Sequence, residues 1–414
     1  MKHTRYLMTA IVAVASLAAC GSTKSSTSAN TSPSPSAGST AASTAASTAG
    51  STGGASSGGK CDAATLAKIN AAITAATSKS QSTGPNGETA KPASDVSLTD
   101  AEVAKVKGMK ATAAIVFHTK ASDWSTAQEA GLRAQFTKLG IEVIAVTDAG
   151  FKADQQITDI QTVMAKKPSI MVSIPADAAA TAAAYKAVAD AGTKLVFMDN
   201  IAKGLKQGKD YVSVVSADNY GNGVVSAHLM AKALCGKGKI ATVFHSADFF
   251  VTKQRHEGFV TTIKSDYPGI QIVEEKGIDG ADFASLAQDA ANAILTKNQD
   301  LNGIWAVWDT PAGGVLAAIK SANRNDVIVV TEDLGKPVAV ELAKDGTVKG
   351  LGAQRPYDQG VTEAMLGAYG LLGKTAPDYV ALPALAVDHD NVLDSWKMVY
   401  YQDAPSDIAS AYKK

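Results

Sequence analysis

From Ala111 onward, short apolar runs alternate with longer amphipathic stretches, and the alternation persists almost to the C-terminus. ATAAIVF (111–117), IEVIAV (141–146), SIMVSI (169–174), KLVFMD (194–199) and YVSVV (211–215) are separated by helical stretches such as STAQEAGLRAQFTKLG and ADQQITDIQTVMAKK. After Ser216 the pattern restarts: KIATVF, IQIVEEK, GIWAVW, VIVVTE and VKGLGA alternate with helices predicted near 220–234, 252–266, 282–297, 312–322 and 337–344. Strands that are apolar throughout need helices over both faces, which predicts α/β architecture with doubly wound parallel sheets. Two similar halves follow one another, and the remaining stretch, about 356–414, is too poor in strands to form a third.

Upstream, Leu66, Ile69 and Ile73 fall at helical spacing, and Thr99 with Glu102 three residues later reads as the start of a second helix. Residues 61–109 are thus expected to be a helical extension. At the N-terminus, Lys2 and Arg5 precede an apolar run, Leu7 to Leu17, too short for the roughly 20 residues of a membrane span. It reads as a signal peptide covering 1–20. Its end, Leu17-Ala-Ala-Cys20, resembles a bacterial lipobox, which implies lipidation at Cys20 and a body held at the extracytoplasmic face of the cell membrane. Residues 21–60 are Ser, Thr, Ala and Gly with almost no large side chain, the composition of a disordered tether.

Three cysteines then divide into Cys20 and an even pair, Cys61 and Cys235. An exported chain favours a disulfide between them, the alternative being two unrelated thiols.

With 39 basic and 39 acidic residues, the chain has no electrostatic footprint for nucleic acid. GNGVVS (221–226) lacks the third glycine of a dinucleotide loop, no Gly-x-Ser-x-Gly occurs, and the histidines show no paired ligand spacing. The expectation is a protein without catalytic residues, metal or cofactor.

Ligands of open α/β sheets bind beyond the carboxyl ends of the strands. The segments there include HTKASDW (118–124), DN (199–200), HSADFF (245–250), WD (308–309), ED (332–333) and AQRPYD (353–358), rich in aromatic, acidic and amide groups. A sugar or polyol has an apolar face that suits flat rings, and hydroxyls that need paired polar groups, since an unpaired buried one costs about 1 to 3 kcal/mol. Trp124, Phe249, Phe283 and Trp308 fit the first need; Asp123, Asp199, Asn200, Arg255, Asp309, Asp333 and Gln354 fit the second. Each also has a structural reading. Asp199, Asp309 and Asp333 could cap helices, Phe283 could be core, and Arg255 could form a surface pair.

The order of these segments resembles the type I periplasmic binding proteins of ribose-like sugar ABC transporters. The carriers include VFMDN, VSADNYGNGVVSAHLMAKAL, QRHEGF, GADFASLAQDAANAIL, WDTPAGGVLAAIKSANRNDVIVV, EDLGKP and AQRPYDQGVTEAMLGAYGLL. The resemblance implies two lobes joined by a three-segment hinge, with crossings near Ser216, Gln354 and Val387. Lobe 1 would then comprise 110–216 plus 355–387, and lobe 2 217–354 plus 388–414. It further implies ligand contacts at Trp124, Asp199, Asn200, Arg255, Phe283, Trp308, Asp333 and Gln354, closure over a small sugar or polyol, and delivery by a monomer to a membrane permease. Two departures argue against ribose itself: Ser122-Asp123-Trp124-Ser125 where ribose binders carry neighbouring Phe residues, and Trp308 where they carry Asn. A receptor of the same fold signalling to a membrane sensor, or one binding a non-sugar polar ligand, is the alternative.

Overall fold

The computed structural model describes residues 61–412, so the expected signal peptide, Cys20 and the tether lie outside the described residues. The described residues form one compact unit. It opens with α1 (Ala63–Thr77) and α2 (Asp100–Gly108), the latter begun by the expected Thr99–Glu102 capping box.

Lobe 1 follows as β1 (Thr112–Phe117), α3 (Asp123–Lys138), β2 (Glu142–Asp148), α4 (Ala153–Met164), β3 (Ile170–Ser173), α5 (Ala182–Asp190), β4 (Lys194–Met198) and β5 (Ser213–Ala217). Lobe 2 runs α6 (Asn219–Ala233), β6 (Gly238–His245), α7 (Phe250–Asp266), β7 (Ile270–Ile278), α8 (Phe283–Lys297), β8 (Gly303–Ala306), α9 (Asp309–Ser321), β9 (Ile328–Glu332), α10 (Lys336–Ala343) and β10 (Val348–Ala353). The chain then returns through α11 (Pro356–Leu372) and β11 (Tyr379–Leu382), and ends in β12 (Leu385–Val387), α12 (Val392–Tyr400) and α13 (Ser406–Ala411).

Two sheets result, ordered β11-β5-β4-β3-β1-β2 and β12-β10-β9-β8-β6-β7. Every pairing is parallel except β10 with β12. The central strands are buried on both faces, which accounts for their unbroken apolar sequence. The lobes repeat one plan down to a register shift in the same place, between Ala113 and Ala114 in one and between Ile240 and Ala241 in the other.

The third crossing falls earlier than expected. Leu385 to Val387 pair antiparallel with β10 and so belong to lobe 2, which puts the crossing between Leu382 and Leu385 and not at Val387. The expected helical extension 61–109 carries two helices and is shared between the lobes. Ile69 of α1 packs into the core beneath α6, and Cys61 is disulfide-bonded to Cys235 with Cα atoms 5.2 Å apart, which fixes α1 to lobe 2. Further along, Lys91 exchanges backbone hydrogen bonds with Tyr379 and Ala381 on β11, and α2 is tied to lobe 1 by Lys374 and Glu102 at 2.9 Å. Between these anchors, Gln81 and Ser82 donate to the Asp218 carboxylate at the first crossing, so the chain bridges the lobes a fourth time.

Candidate functional site

The carboxyl ends of both sheets face one cleft, and side chains from both lobes meet across it. The Trp124 indole N–H donates to Gln354 Oε1 at 3.3 Å, and the Lys336 backbone N–H donates to Asp123 Oδ2 at 2.9 Å. The His118 ring, just after β1, stacks on Phe249 of the opposite lobe at 6.2 Å and 13°, and Phe151 meets Phe283 edge-on at 5.9 Å. The lobes are therefore shut on one another.

Around that contact the rings form a continuous wall. Phe283 and Trp308 meet edge-on at 4.8 Å, His245 at the end of β6 touches both as well as Phe249, and His118 touches Trp124 and Phe151. Burial drives the His118 imidazole down to about 3, against a small opposing pull from Asp148, so it is a neutral group in the wall. His245 is lowered by burial too, with Asp279 opposing.

The polar groups form a chain of hydrogen bonds from lobe to lobe. Arg255, 2% exposed, donates from Nη1 to Asp333 Oδ2 at 2.9 Å and from Nη2 to Oδ1 at 3.2 Å. Its Nε donates to Asn219, whose amide donates to the Ser216 hydroxyl, which in turn donates to Asp199 at 2.6 Å. Gln354 adds a bond to Asp333 Oδ1 at 2.9 Å. Burial opposes the guanidinium charge, but Asp333, Glu332 and Asp199 outweigh it and the group is held above its ordinary value. Burial lifts Asp199 to about 6, with Ser216 and Arg255 working against the shift.

Asp199 and Asp333 occupy matching strand ends, and both have left-handed backbone, φ 52° and 63°. Aspartate tolerates that region at modest cost, and the turn directs the carboxylate back over the strand end. Neither caps a helix. Asp309 does not cap one either; it is the first residue of α9, and Trp308 precedes it in extended conformation. Asp309 is half-buried, and burial with Asp333 and Asp123 lifts it to about 7. Asp123 and Asp309 both line a cavity of about 480 Å³ at the cleft mouth. A larger groove, about 710 Å³, lies between α4 and α5, lined by Ile157, Met164, Ala184 and others, remote from the strand ends.

The sequence reading omitted His118, Phe151 and His245, as well as Asn219 and Ser216, the links between Arg255 and Asp199. Both histidines, and Ser216 and Asn219 in SADN (216–219), do lie in strand-end segments, and that position was their signal. The helix crossings behind the cleft match between lobes too. A Cβ on Gly258 would lie 2.3 Å from the Tyr220 carbonyl oxygen, and one on Gly131 would lie 2.0 Å from that of Tyr357. In return, Gly223 abuts the carbonyl oxygen of Arg255 and Gly360 that of Gln128. Only glycine permits such approach. Gln128 on α3 thus stands where Arg255 stands on α7, with its amide donating to Glu363.

A model of the periplasmic binding protein domain matches residues 113–375, more than half of the chain. The chain belongs to the periplasmic binding protein family. Among relatives of this binding protein, the ribose import binding protein RbsB of Salmonella typhimurium is 25% identical over 248 residues, covering 60% of this chain and 80% of the relative. The D-apiose import binding protein of Actinobacillus succinogenes is 24% identical, covering 59% and 77%. Among solved structures, an ABC transporter solute-binding protein from Agrobacterium vitis with bound α-D-tagatopyranose aligns at TM-score 0.64 and 23% identity, over 71% of this chain and all of that one. A carbohydrate transporter solute-binding protein from Agrobacterium radiobacter, in complex with D-arabinose, aligns at 0.62 and 24%, over 70% and 99%. The binding protein therefore has the two-lobed fold of that family and is a solute-binding protein, not an enzyme.

Proposed function

We propose that this binding protein captures a sugar or sugar-like polyol between its lobes and hands it to the permease of an ABC importer. The observation that carries the reading is the convergence, at one interlobe cleft, of rings from both lobes with the Asp333–Arg255–Asn219–Ser216–Asp199 chain. Rings cover the apolar face of a pyranose or furanose, and fixed carboxylate, guanidinium and amide groups pair its hydroxyls. The ligand contacts are Trp124, Asp199, Asn200, Phe249, Arg255, Phe283, Trp308, Asp333 and Gln354, with Asp123 and Asp309 at the mouth. Closure requires contacts from both lobes, so ligand favours the shut form by its differential affinity for it. The import roles of the ribose and apiose relatives agree with this direction.

A thermal-shift screen of the full chain against sugars, polyols, amino acids and nucleosides tests the ligand class, because a ligand of the folded state raises the melting temperature by mass action. A sugar or polyol should give the shift. A shift only from another class sinks the assignment. In Asn200→Ala the shift should shrink while the unliganded melting temperature stays, since both amide atoms of Asn200 lack partners within the protein.

Anchoring at Cys20 extends the same reading: the chain would reside at the outer face of the cell membrane through a lipid. Wild type should partition into the detergent phase and Cys20→Ser into the aqueous phase; equal partitioning of the two would remove the anchor.

A further inference from the structure

The acidic groups at the cleft outnumber the cations that could answer them. Asp333 is neutralised by Arg255 through both carboxylate oxygens. Asp123, Asp199 and Asp309 form no ion pair with any Lys or Arg among the described residues. Lys120, which lines the mouth, is engaged with Glu129 at 2.7 Å, and Lys336, whose backbone N–H reaches Asp123, pairs through its ammonium with Asp407 at 2.9 Å. In lobe 1 the helix position that supplies a guanidinium in lobe 2 carries the uncharged Gln128, so Asp199 receives the Ser216 hydroxyl and the Ala217 backbone N–H but no cation in direct contact.

Two further side chains beside Asp199 and the ring wall are buried without partners. Asn200, next in the chain, is 5% exposed with both amide atoms unbonded, and His118, 7% exposed and in contact with Phe249 of the opposite lobe, has Nδ1 unbonded. Buried polar atoms of this kind are normally paired, and a ligand in the shut cleft is the partner within reach. A neutral sugar would pair the amide but would bring no cation into contact with Asp199, which Arg255 reaches only at a distance, through Asn219 and Ser216. An ammonium on the ring would compensate it, and the same aromatic wall attracts cations through its ring faces.

We propose that the ligand is an amino sugar or aminopolyol, its ammonium set against Asp199 and its ring among Trp124, Phe249, Phe283 and Trp308. This rests on the sugar-binding reading and narrows it.

Calorimetric titration of the full chain near neutral pH with the matched pairs glucosamine and glucose, and galactosamine and galactose, decides the matter. The amino member of a pair should bind at least about tenfold tighter than its parent. N-acetylglucosamine, which keeps the nitrogen and loses the charge, should bind no better than glucose, a comparison that needs only the wild-type protein. In Asp199→Asn, whatever affinity both members of a pair lose in common, the ratio of their affinities, measured in that same variant, should fall to about one. If the neutral parents bind as tightly as the amines, the inference falls and sugar binding stands. If no member of either pair binds and an amino acid or nucleoside does, the sugar reading falls and takes this one with it.

Discussion

In lobe 2 the carboxylate after β9 is held from three directions: Arg255 spans both oxygens of Asp333, and Gln354 takes one of them. In lobe 1 the carboxylate after β4, with the same left-handed turn and the same helix crossing behind it, has one hydroxyl and the Ala217 backbone N–H, and no cation in contact. The backbone plan is repeated, but the polar content is not. Lobe 2 brings a preorganised acceptor and donor to the cleft, whereas lobe 1 brings an acid whose charge is opposed by its own burial. Specificity should therefore be read mainly on the lobe 1 side, because groups already paired within the protein discriminate less among ligands than groups that only a ligand can satisfy.

Removing the two matched helix residues tests that contrast most severely. Arg255→Ala strands Asp333 and Asn219 in a buried site and should cost about 3 to 5 kcal/mol of stability. Gln128→Ala strands only Glu363, a carboxyl that burial and Asp199 push well above its ordinary range, and should cost about 2 kcal/mol. Denaturant midpoints measure both; equal losses would erase the distinction between the lobes.

A smaller effect sharpens it. Because the folded protein raises the Asp199 carboxyl from its ordinary 3.8 to about 6, the native state binds more protons than the unfolded chain between those values. Its contribution to stability is thus greatest below the unfolded value and is lost as pH rises through about 6. Without ligand, raising the pH from about 5 to about 7 should remove about 1 kcal/mol through this group, and Asp199→Asn should flatten that part of the slope. An unchanged slope in the variant would place the burden on another acid, Asp309 first.

The α/β plan was legible because buried parallel strands leave nothing ambiguous: Ile115, Val116, Val172, Val196, Ile304 and Val329 are apolar at adjacent as well as alternate positions. Strand-end acids were legible as a group for the same reason, since the ends of those runs are easy to find. β12 was not. Three residues between Ala384 and Asp388 carry no period, and their partner, β10, is fixed by tertiary pairing alone. Phe151 follows Gly150 in a left-handed turn and is still 39% exposed, so neither burial pattern nor spacing marked it. The equivalence of Gln128 and Arg255 needed the helix crossings themselves, because it rests on which glycines touch which carbonyls. The two helices of residues 61–109 were legible, but their division between the lobes was not, because the contacts that divide them are all distant in sequence, Cys61 to Cys235 and Lys91 to Tyr379 among them.

The bridge between Cys61 and Cys235 also determines how force enters the molecule. A pull on the chain ahead of Cys61 reaches the sulfur link first and is passed directly to the end of α6. α1 is shielded from being peeled off turn by turn. Lobe 2 takes up the load before any of it reaches the segments that cross to lobe 1.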